Sequence, residues 1–353
     1  MPTLEGLMAG LGKTYEGVIH KGGRTLPSPT RAPTGYFSLD LRMGGGFPRG
    51  RASIVWGQQS SFKTNLGLRT IAINQKLRPH ERNVMIDVEG TFDPEWATIM
   101  GVDVDSLYVV QPDFAEQVVD MVDEIIKAED CGVILLDSVA SLMTTNESTS
   151  SADKAVVGGQ SNVVSKLVRK VILGLKQARR EGRDPVLLMI IQMRHKIGVM
   201  FGTPETMGGG FALKHVSSMT IKVYGKDVME TKLSEELPAY KKVSFTIEKT
   251  KVRTAGKSGE LVCNLLPGLV VKIGDEIDDK EIKTRLDALG LFTGEAGNYT
   301  IPGIDKVFRT QKEFKMWYYQ DDIGAMKLKS MLMDAFLSGV VPDKPVEVAV
   351  ENQ

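Results

Sequence analysis

The sequence predicts an α/β fold in which a mostly parallel β-sheet is covered by helices. Two observations lead to this prediction. Between residues 34 and 192, apolar runs of strand length alternate with segments of helical apolar periodicity. The runs are almost continuous in Val, Ile and Leu, which is typical of strands buried on both faces and therefore of a parallel sheet between helical layers.

Residues 1–33 precede the alternating region and are predicted to form a separate unit. Four apolar residues give this unit one helical stripe: Leu4, Leu7, Met8 and Leu11. A linker rich in Gly and Pro follows, over residues 22–33. Because one amphipathic helix cannot bury its stripe alone, the helix docks either on its own core or on a neighbouring subunit.

Residues 57–64 connect a predicted buried strand, residues 52–56, to a predicted helix, residues 65–76. Strand, tight loop and helix in this order are the setting of a phosphate-binding loop, whose backbone N–H groups face the phosphates at the helix N-terminus. Lys63 would bridge the β- and γ-phosphates, and Thr64 would bind Mg²⁺. The predicted phosphate-binding residues are Gly57, Gln58, Gln59, Ser60, Ser61, Phe62, Lys63 and Thr64.

Phe62 is the one departure of this loop from the pattern G-x-x-x-x-G-K-[ST], because it stands where the second glycine belongs. An ordinary turn between a strand and a helix is therefore an alternative interpretation of the loop alone. The residues that follow in the chain favour the phosphate-binding interpretation.

The polar residues that end the predicted strands are candidate site residues, because ligands of parallel sheets bind at the carboxyl ends of the strands. Asp137 ends one strand, where a carboxylate orients Mg²⁺ through water. Glu89 ends another and is the predicted general base, with Asp93 as the alternative acid. Gln192 could hydrogen-bond the γ-phosphate. The strands are predicted at residues 83–88, 107–111, 133–137 and 186–192, and the helices between them at 93–100, 114–128 and 163–180.

Residues 194–214 are predicted to be a loop, because they are too rich in glycine to form a regular element. Cations with interleaved apolar or aromatic side chains suit single-stranded nucleic acid, since phosphates bind the cations and bases pack on the apolar groups. A surface loop without a ligand is the alternative. The predicted DNA-contacting residues are Arg194, Lys196, Met200, Phe201, Gly209, Gly210 and Lys214. Residues 146–159 form either a companion DNA loop or a solvent-exposed loop.

The last third of the chain changes character. Shorter, alternating runs after residue 216 predict antiparallel strands that extend the sheet, at residues 219–224, 243–250 and 261–266. A composition shift near residue 268 marks a small α+β domain with helices over 280–289 and 326–337. Residues 312–319 mix lysines with aromatic residues, which is typical of a half-buried helix and, as a minority alternative, of a secondary DNA contact.

Lys249 and Lys251 leave one predicted strand end at positions i and i+2, so both side chains lie on one side of the strand. A solvated edge is one interpretation. The other is that the two cations reach a phosphate held by a neighbouring subunit.

Charge and cysteine content limit the possible classes of protein. Lys+Arg and Asp+Glu number 44 each, so any polyanion site has to be local. Cys131 and Cys263 lie far apart and are expected to be buried free thiols, with neither a disulfide framework nor a zinc site. The N-terminus lacks a basic and then apolar signal, and no apolar run reaches the ~20 residues of a membrane span, so we expect a soluble intracellular protein.

Five stretches together resemble the RecA-type recombinases: residues 33–40, the loop at 57–64, residues 86–94, residues 135–138 and residues 196–206. The resemblance runs in order from about residue 4 to about residue 335. The loop variant with Phe62 is similar to the loop of phage-encoded members of the UvsX type. Thr220 departs from the bacterial members, which usually have an arginine there, and His215 departs from their phenylalanine.

The resemblance implies a RecA-like P-loop ATPase core with ATP and Mg²⁺ as cofactors. It implies Glu89 as the catalytic glutamate, Trp96 at the adenine ring and Gln192 as the relay between ATP and DNA. Phe201 would wedge between base triplets, and the two strand-end lysines would contact ATP across the subunit interface. The implied units are a polymerisation arm and linker over 1–33, the core over 34–268 with DNA loops 146–159 and 194–208, a C-terminal domain over 269–341 and a tail over 342–353.

By this resemblance the protein is expected to be a DNA-dependent ATPase. It would form helical filaments on single-stranded DNA with ATP at the subunit interfaces, and would pair and exchange strands with homologous duplex DNA in recombination and repair. The expected setting is the cytoplasm of a bacterial cell or of a phage-infected cell. Two alternatives stay open: a hexameric helicase of the same fold, and a filament-forming DNA-binding protein without ATP turnover.

Overall fold

The computed structural model describes residues 3–15, 19, 28–141, 143–145, 159–195, 205–208, 210–230, 233, 237–267, 270–294 and 298–338. None of the helices in these ranges has the length and apolar character needed to cross a membrane. The first elements are α1 (Leu4–Thr14), β1 (Arg31–Ala32), α2 (Phe37–Met43), β2 (Phe47–Pro48), β3 (Ala52–Gly57), α3 (Lys63–Leu77), β4 (Arg82–Asp87), α4 (Pro94–Ile99), β5 (Leu107–Val110), α5 (Ala115–Lys127) and β6 (Cys131–Asp137).

The second part of the chain begins with a long helix and then returns to the sheet. Its elements are α6 (Gly159–Arg180), β7 (Val186–His195), β8 (Glu205–Met207), α7 (Gly210–Val216), β9 (Met219–Val228), β10 (Tyr240–Thr250), β11 (Ser258–Asn264), α8 (Asp279–Ala288), β12 (Tyr299–Ile301), β13 (Ile304–Phe308), α9 (Gln311–Gln320) and α10 (Asp322–Leu337). The helices and strands predicted between residues 52 and 192 are all present, with ends shifted by a few residues.

One large sheet carries the fold, with the strand order β11–β10–β9–β3–β7–β6–β4–β5 and with β8 paired to β7. Neighbours from β5 to β9 run parallel, which confirms the predicted mostly parallel sheet. β10 and β11 extend the sheet in antiparallel order.

The predicted antiparallel extension is wrong in one respect, because β9 runs parallel to its inner neighbour β3, with Ser53 opposite Met219. The chain crosses from β7 through α7 before it enters β9, and a crossover of this kind returns the next strand in the same direction. Antiparallel pairing therefore begins only between β9 and β10.

Two hydrophobic clusters lie on opposite faces of the sheet, because side chains alternate along each strand. Val55 and Leu135 belong to the cluster that includes α3, whereas Ile54 and Leu136 belong to the cluster that includes α5 and α6. α3 packs closely on β6 at Gly67, where a Cβ atom would lie 2.5 Å from Cδ1 of Leu135. This close packing fixes the start of α3 relative to the strand ends.

A third hydrophobic cluster joins the C-terminal elements to α2. Phe37 and Leu41 of α2 pack with residues of α8, the β12–β13 hairpin, α9 and α10. The segment at 312–319 lies in α9, which buries Phe314, Trp317, Tyr318 and Tyr319. The prediction of a half-buried helix is therefore confirmed. The β12–β13 hairpin was not predicted from the sequence.

The N-terminal helix and the cysteines can be compared directly with their predictions. α1 forms as predicted, with Thr3 as its N-cap, and buries none of its residues. Leu4 is 72% exposed, so the apolar stripe is not docked on the chain's own core. Docking on a neighbouring subunit stays a prediction. Cys131 and Cys263 are buried free thiols, as expected.

Candidate active site

The loop at 57–64 leaves the centre of the sheet and enters α3 at Lys63. Its first residue, Gly57, lies opposite Gln192 of β7, so the loop begins at the level where β7 delivers that side chain. A Cβ atom at Gly57 would lie 2.1 Å from the carbonyl oxygen of Val223, so the chain can turn here only with glycine. The loop therefore follows the course that a phosphate-binding loop requires between a strand and a helix N-terminus.

Phe62 takes the backbone conformation that the missing glycine would have taken. Its φ is 79°, in the left-handed region that L side chains rarely adopt. Its ring is only 7% exposed and lies 5.6 Å from the ring of Tyr36, between centroids. Burial of the aromatic ring offsets the backbone strain, so the loop keeps its shape without the second glycine.

Lys63 and Thr64 are the first two residues of α3. The Lys63 Nζ donates to the carbonyl oxygen of Gln58 at 2.5 Å and to the Ser61 Oγ at 3.3 Å. Burial lowers the pKa of Lys63, while the charges of Asp137 and Glu89 oppose that change. The ammonium group therefore rests against groups of its own loop, close to two carboxylates.

Thr64 and Asp137 are brought together as the predicted Mg²⁺ ligands. The Thr64 Oγ1 donates to Oδ2 of Asp137 at 2.6 Å. Burial is the main cause that raises the pKa of Asp137 to about 6, and nearby Glu89 and Asp87 add to it. A buried carboxylate and a hydroxyl fit Mg²⁺, which takes few protein ligands and completes its shell with phosphate oxygens and water. Within the described ranges, no group of three or more His, Cys, Asp or Glu could hold a metal.

Glu89 lies among three donors, all of which bond to its Oε1 atom. Ser138 Oγ donates at 2.8 Å, Ser141 Oγ at 2.6 Å and Gln192 Nε2 at 3.0 Å. The structure thus joins the predicted general base to the predicted relay. Sequence reasoning placed Ser138 at a strand end after Asp137 but assigned it no role, and it missed Ser141.

Asp87 is a further residue that sequence reasoning missed. Its carboxylate accepts from the backbone N–H of Thr91 at 3.2 Å, from that of Phe92 at 2.9 Å and from Gln111 Nε2 at 2.9 Å. It therefore shapes the turn that carries Glu89. The signal was its place as the last residue of an apolar strand.

Asp93 and Trp96 lie at the start of α4. The Oδ1 of Asp93 accepts from the backbone N–H groups of Glu95 and Trp96, which makes this residue the N-cap of the helix. Trp96 donates from Nε1 to Oδ1 of Asn65 at 2.9 Å. Its ring borders a cavity of about 330 Å³ at the loop, lined by Ser60, Ser61, Phe62, Lys63, Thr64, Asn65, Trp96, Asp227, Lys241 and Leu265.

Comparison with known protein families shows to which family the chain belongs. Residues 6–264 match the model of the family described as the RecA N-terminal domain. The chain is a member of the RecA family. The predicted resemblance is confirmed, and the fold of the core is that of this family.

Several RecA proteins are similar to this chain over long stretches. Protein RecA of Aquifex aeolicus is 37% identical over 290 residues, which cover 82% of this chain and 79% of that protein. Protein RecA of Aquifex pyrophilus is 43% identical over 192 residues, which cover 54% of this chain and 53% of that protein. The mitochondrial DNA repair protein recA homolog of Dictyostelium discoideum is 34% identical over 266 residues, covering 71% of this chain and 57% of that protein.

Around the segment at 194–214, this RecA-family chain forms more regular structure than its glycine content predicts. β7 continues to His195, β8 pairs back on it with Met207 opposite Met193, and α7 begins at Gly210. The prediction of one continuous loop is therefore wrong at both ends. Strand pairing and the burial of Leu213 and Val216 override the local preference of the glycines.

The described part of this segment contains three of the predicted DNA-contacting residues. Arg194 is exposed near the end of β7, and Lys214 is exposed on α7, which begins at Gly210. The other predicted contacts lie outside the described residues: Lys196, Met200, Phe201 and Gly209. Most of the segment at 146–159 also lies outside them.

Lys249 and Lys251 both reach the C-terminal end of α7. The Lys249 Nζ donates to the carbonyl oxygens of Lys214 and His215, and the Lys251 Nζ donates to that of His215 at 3.0 Å. Burial lowers the pKa of Lys249, and the charge of Lys251 adds to this. Glu248 is bound on the other side by Nε1 of Trp56 at 2.9 Å. The two cations thus lie side by side, as predicted, at a helix end with negative polarity.

Proposed function

We propose that this protein is a recombinase that hydrolyses ATP when it is bound to single-stranded DNA. It would polymerise on that DNA and exchange strands with a homologous duplex in recombination and repair. Membership of the RecA family supports this proposal, and so does the name of one relative, the mitochondrial DNA repair protein recA homolog of Dictyostelium discoideum. The observation that carries it is the hydrogen bond between Glu89 and Gln192, because it joins the residue suited to activate water to the strand that leads into the predicted DNA loop.

The residues of the loop would bind and orient the triphosphate. The backbone N–H groups of residues 58–64 and the α3 N-terminus would receive the phosphates, and Lys63 would leave Gln58 and Ser61 to contact the β- and γ-phosphates. Thr64 and, through water, Asp137 would hold Mg²⁺, which would supply neutralising charge to the phosphates. The ring of Trp96 borders the same cavity and would stack on the adenine.

Glu89 would accept the proton of the attacking water at Oε2. Its Oε1 atom is bound by Ser138, Ser141 and Gln192, so the carboxylate is fixed through one of its two oxygens. Within the described part of the chain, no group donates a hydrogen bond to Oε2. A carboxylate held in this way is suited to general base catalysis, because its orientation is set before the substrate binds.

DNA would contact the protein through the segment at 194–214, which begins at the end of β7. Arg194 and Lys214 are exposed cations at its two ends, which supports contacts to phosphates. Lys196, Met200, Phe201, Gly209 and Gly210 complete the proposed interface, with apolar side chains against the bases. The exposed stripe of α1 supports self-association, in which ATP would lie between subunits and Lys249 and Lys251 would face the γ-phosphate of the neighbour.

A steady-state ATPase assay with and without single-stranded DNA tests the proposal. The wild-type protein should hydrolyse ATP faster on DNA, and Glu89→Gln should lower this rate at least 100-fold because it keeps the shape of the side chain and removes the base. Filaments of Glu89→Gln should still form with ATP, as seen by electron microscopy. Asp93→Asn is the matched control, because Asp93 caps α4.

The assay contradicts the proposal if the wild-type protein shows no ATP turnover. It contradicts the choice of base if Asp93→Asn stops hydrolysis and Glu89→Gln does not.

A further inference from the structure

We propose that Ser141 is a positioning residue for the hydrolysis of ATP, because its hydroxyl fixes the carboxylate of Glu89. This inference rests on the proposed function, in which Glu89 is the general base. It concerns a residue that lies outside the phosphate-binding loop and outside the strand ends from which the site was predicted.

The contact between Ser141 and Glu89 is the shortest that Glu89 makes with its three donors. Ser141 Oγ lies 2.6 Å from Oε1, against 2.8 Å for Ser138 and 3.0 Å for Gln192. Hydroxyl–carboxylate bonds of this length are charge-assisted and are stronger than bonds between neutral groups. Ser141 is therefore a main determinant of where the carboxylate points.

The two serines also contact each other, with 3.0 Å between their Oγ atoms. Each hydroxyl has one hydrogen, so two hydrogens serve three short contacts. The arrangement in which both serines donate to Glu89 is favoured, because both hydrogen bonds are then made to a negatively charged acceptor. Loss of Ser141 leaves Ser138 and Gln192, which approach Oε1 at longer distances and leave the carboxylate freer to rotate.

The backbone of Ser141 is itself held, because its N–H donates to the carbonyl oxygen of Ser138 at 3.3 Å. It ends a short 3-10 turn, Val139–Ser141, that follows β6 directly. The chain just beyond it is fixed to the start of α5, because the carbonyl oxygen of Met143 accepts from the backbone N–H of Ala115 at 2.8 Å. The side chain of Glu116 also accepts from the backbone N–H of Thr145 at 3.2 Å. A hydroxyl on so short and well-anchored a segment can orient Glu89.

Gln192 reaches the same oxygen from β7, so Glu89 is held by two separate parts of the chain. One is the segment that follows β6, and the other is the strand that leads into the proposed DNA-binding segment. Since both donors act on one atom, the effects of removing them should not add. Changing Ser141 and Gln192 together should cost less than the product of the two single effects.

The test measures kcat and KM for ATP on single-stranded DNA, together with the DNA affinity in a non-hydrolysable ATP analogue. Ser141→Ala should lower kcat about tenfold and leave the KM for ATP and the DNA affinity within twofold of wild type. Ser141→Thr keeps the hydroxyl at an exposed position and should restore at least half of the wild-type kcat. Thr145→Ala is the matched control, because it removes a hydroxyl from the same segment that bonds to Glu116. Its kcat should stay within twofold of wild type.

The inference is overturned if Ser141→Ala keeps the wild-type kcat, or if its loss of rate follows a loss of DNA affinity. It is also overturned if Ser141→Thr is as slow as Ser141→Ala, or if Thr145→Ala is equally slow. Failure of the inference differs from failure of the proposed function. In the first case the wild-type protein is active on DNA and Glu89→Gln is inactive, whereas in the second the wild-type protein does not hydrolyse ATP.

Discussion

At position 62 the chain places an aromatic side chain where the phosphate-binding motif has a glycine. The left-handed backbone of Phe62 costs a non-glycine residue about 1–2 kcal/mol. The buried ring, packed on Tyr36, offsets this cost. Tyr36 in turn donates from its hydroxyl to the carbonyl oxygen of Gly274 at 3.2 Å, so the phosphate-binding loop is tied to the chain beyond β11.

Variants of Phe62 should therefore have an unusual order of stability, with glycine better tolerated than alanine. Phe62→Ala loses the ring and keeps the strained backbone, whereas Phe62→Gly loses the ring and relieves the strain. We expect both variants to be less stable than wild type, with Phe62→Gly more stable than Phe62→Ala by about 1 kcal/mol. The free energy of unfolding in urea measures the difference.

Leu66 provides the control for this comparison, because it is buried on α3 in a right-handed helical conformation. There, Leu66→Gly should be less stable than Leu66→Ala, by roughly 1 kcal/mol. If Phe62→Ala proves more stable than Phe62→Gly, the left-handed backbone does not limit the loop.

The residues of the candidate site differ in how far the sequence could predict them. Lys63, Thr64 and Asp137 follow from local patterns, namely a loop before a helix and a carboxylate at a strand end. The two serines could not be assigned to Glu89 in this way, although Ser138 directly follows Asp137. They approach Glu89 only because β4 and β6 pair with Asp87 opposite Asp137, and this register is a property of the folded sheet.

Among the elements, α2 depends on one buried carboxylate at Asp40. Asp40 accepts from the backbone N–H of Thr34 at 2.8 Å, from its Oγ1 at 2.9 Å and from the backbone N–H of Gly35 at 3.0 Å. Asp40 therefore holds the turn that leads into α2. Burial raises the pKa of Asp40 to about 6, although these hydrogen bonds oppose the change.

The pKa of Asp40 predicts a pH dependence of stability. Because its pKa in the folded chain lies above the unfolded value near 4, the charged form is disfavoured by folding. Its contribution to stability should therefore be largest below about pH 4, fall as the pH rises to about 6, and stay low above that.

Urea unfolding of wild type and Asp40→Asn at pH 7 and pH 4.5 measures this effect. The stability of wild type relative to Asp40→Asn should increase by about 1–3 kcal/mol at the lower pH, since the amide does not titrate. Asp305→Asn removes an exposed carboxylate and serves as the control. If the difference in the free energy of unfolding between wild type and Asp40→Asn is the same at both pH values, the pKa of Asp40 is not raised by folding.

Helices and strands were predictable where the apolar residues had a clear periodicity. They were less predictable where contacts with other elements determine the local structure. α3, α5 and α6 have apolar spacings that already define their buried faces. β8 and α7 were missed because their glycine-rich sequence has no such pattern. They form through pairing of Met207 with Met193 and through burial of Leu213.

For the whole molecule, the proposed assembly makes hydrolysis depend on a neighbouring subunit. Lys249 and Lys251 cap α7 in the isolated chain, so they must exchange the helix carbonyls for a phosphate when subunits assemble. Changing both to Ala should abolish DNA-stimulated hydrolysis and leave ATP binding intact, because Lys63 is unchanged. Lys242 lies on the same strand and forms an ion pair with Glu260. Lys242→Ala is therefore the control for the loss of a cation.

A mixing experiment tests the shared site directly. Subunits with Lys63→Ala and subunits lacking both strand-end lysines each provide one half of the site. Mixed filaments, verified by differential labelling, should recover part of the wild-type hydrolysis rate. No recovery in such filaments would mean that each subunit hydrolyses ATP alone.

Strand exchange between homologous DNA molecules tests directly whether the protein is a recombinase. Circular single-stranded DNA and linear duplex DNA are incubated with the protein, ATP and Mg²⁺, and the joint molecules are resolved on a gel. A recombinase should form joint molecules that require ATP and sequence homology and that are lost with Lys63→Ala. Absence of joint molecules with the wild-type protein, or unwinding of the duplex regardless of homology, would contradict it.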